Sequence, residues 1–250
     1  MGKTTLGTFF ELGGRNAIEG LSRTGLDYVI IDTEHGCFSE ESTAEYILAA
    51  ERGDLLPYVR IGDVRRPYVL RMLDIGARGL IVPNIRSVEE VRELIANAKF
   101  PPIGNRGYCP NRTGGWGADE WAKEAPYYMA ASNLRCKVIP QCETQEALER
   151  IDEIAALPGV DGIFVGPCDL SIALGIPLQL DSPVLDEAVE RILKACRKNG
   201  KESYIFASNL ADAVKWTNKG FDSIAYGLDV SVLMQGYRSL VERYRSETVQ

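Results

Sequence analysis

The stretch Tyr28-Val29-Ile30-Ile31-Asp32-Thr33-Glu34-His35-Gly36-Cys37-Phe38-Ser39-Glu40-Glu41-Ser42 holds one complete structural unit. Its first five residues form an apolar, β-branched run, as a strand buried on both faces requires. Ser39 then supplies a helix cap. Glu40 and Glu41 place carboxylates in the first turn, where the helix dipole favours them. This helix stops near Gly53. Between strand and helix lie the ionisable residues Asp32, Glu34 and His35.

The same cycle recurs on both sides of this unit. Upstream, Leu6–Leu12 reads as a strand and Asn16–Thr24 as a helix ending at Gly25. Downstream, Pro57–Ile61 precedes a helix at Pro67–Ile75, and Gly79–Pro83 precedes a helix opened by Ser87-Val88-Glu89-Glu90. Lys137–Gln141 leads to a helix starting at Thr144, and Gly162–Gly166 to one at Pro183–Cys196. Ser203–Ala207 precedes Leu210–Asn218, and Asp222–Tyr226 precedes an amphipathic helix at Val230–Tyr244.

Strict alternation of strand and helix implies a parallel sheet. Eight such units in 250 residues predict an α/β fold of one domain over 1–250, a (β/α)8 TIM barrel. Its C-terminal helix falls at about 230–246. An open doubly wound sheet is the alternative. That architecture usually carries a glycine-rich nucleotide turn, and neither GxGxxG nor GxxxxGK[ST] occurs. One segment at about 101–117, PPIGNRGYCPNRTGGWG, breaks the rhythm and reads as either a solvated connection or a substrate loop.

Composition excludes several classes. With 28 basic and 35 acidic side chains the net charge is −7. There is no basic run, so no general attraction to nucleic acid is expected. No run of about 18 apolar residues exists to span a membrane. The N-terminus becomes patterned too early for a signal peptide. The six cysteines form no CxxC pair and His35 is the single histidine, which argues against a zinc finger. Scattered thiols fit a reducing compartment, so a cytoplasmic protein is expected.

In a (β/α)8 barrel the reactive groups gather at the C-terminal ends of the strands. That rule brings Asp32, Glu34 and His35, Arg60, Gln141 and Glu143, and Cys168 and Asp169 to one mouth. Glu143 and Asp169 are candidate ligands for a hard divalent cation, or each caps the helix that follows it. His35 is either a base or a structural residue, histidine being the side-chain type suited to proton transfer at physiological pH. Arg60 points by alternation into the mouth, toward a substrate carboxylate or a structural ion-pair partner.

These residues resemble the HpcH/HpaI aldolases, the class II metal-dependent pyruvate aldolases, over nearly the whole length. The resemblance is carried by Asp32-Thr33-Glu34-His35-Gly36, Val59-Arg60, Leu73-Asp74-Ile75-Gly76-Ala77 with Leu80-Ile81-Val82-Pro83, Pro101-Pro102 with Arg106-Gly107, Gln141-Cys142-Glu143-Thr144 and Val160–Ser171. It implies that Glu143 and Asp169 bind Mg2+, Mn2+ or Co2+, that His35 is the general base and that Asp32 is its paired acid. It further implies that Arg60 stabilises an enolate, Gln141 binds substrate, and Cys168 stands where a backbone N–H meets the pyruvate carboxylate. Asp74 matches an acid that reaches the histidine across a subunit contact, implying a homo-oligomer, a trimer or a hexamer. The implied reaction is reversible cleavage of 4-hydroxy-2-oxo acids to pyruvate and an aldehyde.

The chain departs from the family pattern at Gly62–Pro67, in the loop from Tyr108 to Gly117, and at Tyr204-Ile205-Phe206-Ala207. These positions bear on the aldehyde. A related lyase acting on an acyl-CoA or decarboxylating oxaloacetate, and a non-catalytic oxo-acid-binding protein, are the competing readings. A Schiff-base aldolase would need a lysine at the mouth, and the strands offer only Lys137, at a strand start.

Overall fold

A computed structural model describes residues 3–248. The chain runs β1 (Thr5–Phe10), α1 (Arg15–Leu21), β2 (Tyr28–Asp32), α2 (Glu40–Arg52), β3 (Leu56–Arg60), α3 (Arg66–Asp74), β4 (Gly79–Val82), α4 (Val88–Ala98), α5 (Ala125–Arg135) and β5 (Lys137–Cys142). It continues with α6 (Gln145–Glu149), α7 (Ile151–Ala156), β6 (Gly162–Val165), α8 (Pro167–Ala173), α9 (Pro183–Asn199), β7 (Glu202–Ala207), α10 (Leu210–Lys219), β8 (Ser223–Leu228) and α11 (Asp229–Thr248). The strands pair in parallel in sequence order and β8 returns to β1, so the barrel closes and the open sheet is excluded.

Alternation along each strand divides the core in two. Val29, Ile31 and Val59 pack outward against the helices, while Tyr28, Ile30 and Tyr58 fill the barrel interior with Phe9, Ile81, Ile139, Phe164 and Tyr204. The same parity carries Asp32, Arg60, Gln141 and Glu143 inward at the opposite end from the strand starts.

The floor of the barrel is closed by Tyr28, Tyr58 and Tyr204, whose ring centroids lie 5.2–6.3 Å apart. Gly7 makes room for this plug, because a Cβ there would collide with the Tyr28 ring. Lys137 belongs to the same floor, where Nζ donates to Glu202 Oε1 at 2.7 Å and to the Tyr204 hydroxyl at 3.3 Å.

Four segments differ from the sequence expectation. The first strand ends at Phe10 and not at Leu12. Beyond Phe10 the backbone N–H groups of Glu11 and Leu12 donate to the Asp229 carboxylate, each at 3.0 Å, instead of to a neighbouring strand. Helices α5 and α8 were not anticipated. α5 buries only Tyr128 and Ser132, too few positions to write a clear apolar period. α8 follows β6 with no intervening loop. The 101–117 segment is more than a solvated connection. Arg106 and Asn111 within it are buried, and they donate to Asp74 Oδ1 at 2.8 and 2.9 Å.

α11 leaves the barrel after its first turn. Asp229 is its one buried residue, and every residue from Ser231 to Thr248 is exposed. No helix among the described residues is long and apolar enough to cross a membrane.

Candidate active site

β2 and β3 meet in register at Asp32 and Arg60. Arg60 Nε donates to Asp32 Oδ1 at 2.9 Å and Nη2 engages Oδ2. Asp32 also accepts the backbone N–H groups of Glu34 and His35, at 3.1 and 3.4 Å. Burial raises the Asp32 carboxyl, but the Arg60 hydrogen bonds and charge and the two N–H donors outweigh it and hold Asp32 below the usual carboxylate range. The expected pairing of Asp32 with the His35 imidazole is therefore replaced. Asp32 holds the His35 backbone and the Arg60 guanidinium. The structural ion pair envisaged for Arg60 is present, and Arg60 still lines the mouth.

The imidazole of His35 faces Glu34 instead, with Nε2 3.9 Å from Glu34 Oε2. That same oxygen lies 3.4 Å from Arg60 Nε and has no hydrogen-bond partner. Burial pushes the Glu34 carboxyl up, against the lowering effect of Arg60 and His35. Glu34 was quoted in the sequence motif without a role. Its position between the proposed base and the guanidinium is visible only in three dimensions.

Glu143 follows β5. Its Oε1 accepts the Asn84 backbone N–H at 2.7 Å and its Oε2 contacts Gln141 Nε2. Burial, with Asp169 and Glu34 adding like charge, pushes the Glu143 carboxyl up to about 7. The Gln141 Oε1 oxygen is buried with no partner. Gly166 keeps this corner open, since a Cβ there would stand 2.5 Å from Glu143 Oε2 and 2.6 Å from Gln141 Nε2. Asp169 stands in the first turn of α8.

No group of three or more His, Cys, Asp or Glu ligands occurs among the described residues. What the mouth offers is two carboxylates and an unpaired amide oxygen, a hard oxygen donor set of the kind Mg2+ accepts with water and substrate completing the shell. Burial and neighbouring carboxylates raise Glu143, and the Gln141 oxygen is buried without a donor; a cation placed between them would answer both. The residues therefore fit a divalent cation.

In α8, Leu170 N–H already donates to Gly166 O at 2.9 Å. Pro167 has no N–H, so the Cys168 and Asp169 N–H groups are those left without an intrahelical acceptor. Burial and the Asp169 charge both push the Cys168 thiol up, which keeps it protonated and argues against a nucleophile.

Two adjoining cavities share His35, Arg60 and Asp169. One, of about 500 Å3, includes Asn84, Arg86 and Glu143, and the other, of about 190 Å3, includes Phe9, Glu11, Gln141, Cys168, Phe206 and Leu228. Neither is lined by a lysine. Of the sequence candidates, only Asp74 lies elsewhere. It ends α3, just before β4 begins and thus at the barrel end away from the mouth, where it binds Arg106 and Asn111. Glu11 was missed because the first strand was drawn through it.

The family model for HpcH/HpaI aldolase/citrate lyase matches residues 6–236. The 2-keto-3-deoxy-L-rhamnonate aldolase of Klebsiella pneumoniae subsp. pneumoniae is 30% identical, with 100% of this chain and 92% of that protein covered. The hydroxypyruvate/pyruvate aldolase of Chromohalobacter salexigens is 33% identical over 98% of this chain and 94% of its own length. The crystal structure of an HpcH/HpaI aldolase from Desulfitobacterium hafniense superposes with a TM-score of 0.90 at 30% identity, covering 97% of this chain and 93% of that one. By its barrel, its mouth and these likenesses, the chain belongs to the HpcH/HpaI aldolase/citrate lyase family.

Proposed function

We propose that this chain is a class II pyruvate aldolase, a carbon–carbon lyase that reversibly cleaves 4-hydroxy-2-oxo acids to pyruvate and an aldehyde. One observation carries the reading: Glu143 and Asp169 share a cavity with Arg60 and His35. Those two carboxylates hold a divalent cation, Mg2+, Mn2+ or Co2+, with the Gln141 amide oxygen beside them. When bound, the cation supplies Lewis-acid stabilisation of the charge that develops on the oxo acid.

The protein's own groups do the rest. The N–H groups of Cys168 and Asp169 receive the substrate carboxylate. Arg60, fixed by Asp32, presents its guanidinium where the enolate oxygen develops. His35 takes the proton of the 4-hydroxyl in cleavage and returns it in addition. Glu34 orients the imidazole. A lysine-based route has no support, since Lys137 sits on the floor with Glu202.

We further propose a homo-oligomer, a trimer or a hexamer. Leu233, Tyr237, Leu240 and Tyr244 recur on α11 at four- and three-residue spacing, and all are exposed. That is an apolar seam which a second copy covers. Asp74, remote from His35 within one chain, reaches a histidine only across such a contact.

The decisive test is pyruvate release from 4-hydroxy-2-oxo acids of varied C4 substituent, with and without exhaustive chelation. Cleavage that stops on chelation, resumes with added Mg2+ or Mn2+, and is absent in Glu143→Ala supports the reading. Full activity under chelation refutes it.

A further inference from the structure

We infer that a small inorganic anion of the chloride class binds in a cavity remote from the mouth, between the irregular segment at 101–122 and the strand-start end of the barrel. The cavity measures about 50 Å3. Its wall is drawn from three places. Arg78 stands just before β4, Arg135 and Cys136 lie between α5 and β5, and Arg106 and Trp121 come from the segment that joins α4 to α5. None of these residues lines either cavity of the mouth.

Three guanidiniums thus border one small space in a chain whose net charge is −7. The Arg106 side chain is only 4% exposed. Its Nη2 donates to Asp74 Oδ1 at 2.8 Å, but its Nε is buried with no hydrogen-bond partner. Arg78 Nε donates to a backbone carbonyl, Arg135 O, at 3.4 Å, and the Arg135 guanidinium lies 4.7 Å from the centroid of the Trp121 ring. Among the described residues neither Arg78 nor Arg135 pairs with a carboxylate. Glu51 brings a carboxylate to the wall, but its Oε2 is already taken by Arg112. Cys136 supplies no negative charge, because burial, against the lowering effect of Lys99 and Arg106, pushes its thiol up to about 11.

A buried N–H without an acceptor is costly, and a guanidinium N–H more so. Water would accept from Arg106 Nε and leave the gathered charge unanswered. An anion answers both, through charge-assisted hydrogen bonds. Volume selects among anions: about 50 Å3 admits a small ion, whereas small-molecule sites run from roughly 300 Å3 upward. Seated there, the ion ties the 101–122 segment to the end of α5 and to the barrel, and so it stabilises the fold without touching the reacting groups.

The test is urea unfolding of the full chain at fixed protein concentration and ionic strength, with sodium gluconate replaced stepwise by sodium chloride. In wild type the midpoint rises and saturates, the folding constant growing about tenfold once chloride stands at about ten times its dissociation constant. Arg78→Gln and Arg135→Gln, each checked for a native circular dichroism spectrum, lose most of that gain. The 35Cl resonance of the folded protein reads binding directly: its excess broadening is retained with Mg2+ and saturating pyruvate present and is lost in the double variant. A wild-type midpoint indifferent to chloride overturns the site. So does a gain that both variants keep in full, or a broadening that pyruvate abolishes, which would place the ion at the mouth.

Discussion

Arg60 and Asp32 oppose one another residue for residue across the β2–β3 register and lock as a two-point ion pair, with the Asp32 carboxylate wholly buried. Removing one member leaves the other charge uncompensated in the barrel mouth. Asp32→Ala is expected to cost about 3–5 kcal/mol of stability, read from the urea midpoint. Arg60→Lys keeps the charge but loses the fork, so activity falls by about tenfold or more while most of the stability remains.

Glu143 ionises at about 7 in the fold, against 4.5 ordinarily. Between those values the native state holds a proton that the unfolded chain has released. Through this group the metal-free protein loses stability as pH rises from 4.5 to about 7, by roughly 3 kcal/mol in total. Denaturant unfolding under chelation at about pH 5 and about pH 8 measures the loss. Glu143→Gln flattens the profile, and adding Mg2+ at the higher pH restores stability to wild type alone.

His35 presents a side chain that is 68% exposed. His35→Ala should therefore leave the melting temperature close to wild type while lowering kcat by about a hundredfold or more. A simultaneous collapse of melting temperature and activity would make the residue structural.

Gly166 has no unusual backbone angle, with φ of −95°. Its constraint is space alone. Gly166→Ala pushes a methyl against Glu143 and Gln141, so a rise in the apparent dissociation constant for Mn2+, followed by paramagnetic resonance, is expected with the barrel still folded.

The apolar seam of α11 predicts the response to Leu240→Asp. Light scattering should report a smaller particle for this variant, with the circular dichroism of the barrel retained. An unchanged particle mass would remove α11 from the subunit contact.

The barrel was legible because each strand between Tyr28 and Tyr226 is a short apolar run closed by a helix cap or a glycine, a local signal that needs no tertiary knowledge. Most of the mouth was legible for the same reason, since strand ends fix the positions of Asp32, Arg60 and Glu143. What escaped depends on contacts between distant segments. Glu11 emerges from β1 only because Asp229, far away in sequence, takes the backbone N–H groups that would have extended the strand. Asp32 turned to Arg60 rather than to the imidazole because register, not chain proximity, decides which side chains meet.

The tyrosine floor has a consequence for traffic. Tyr28, Tyr58 and Tyr204 are each no more than 3% exposed, and Phe9 and Phe164 seal the space above them. The vessel has a blind end. Whatever enters the mouth leaves by the same aperture, and nothing is handed along the barrel axis through the opposite end.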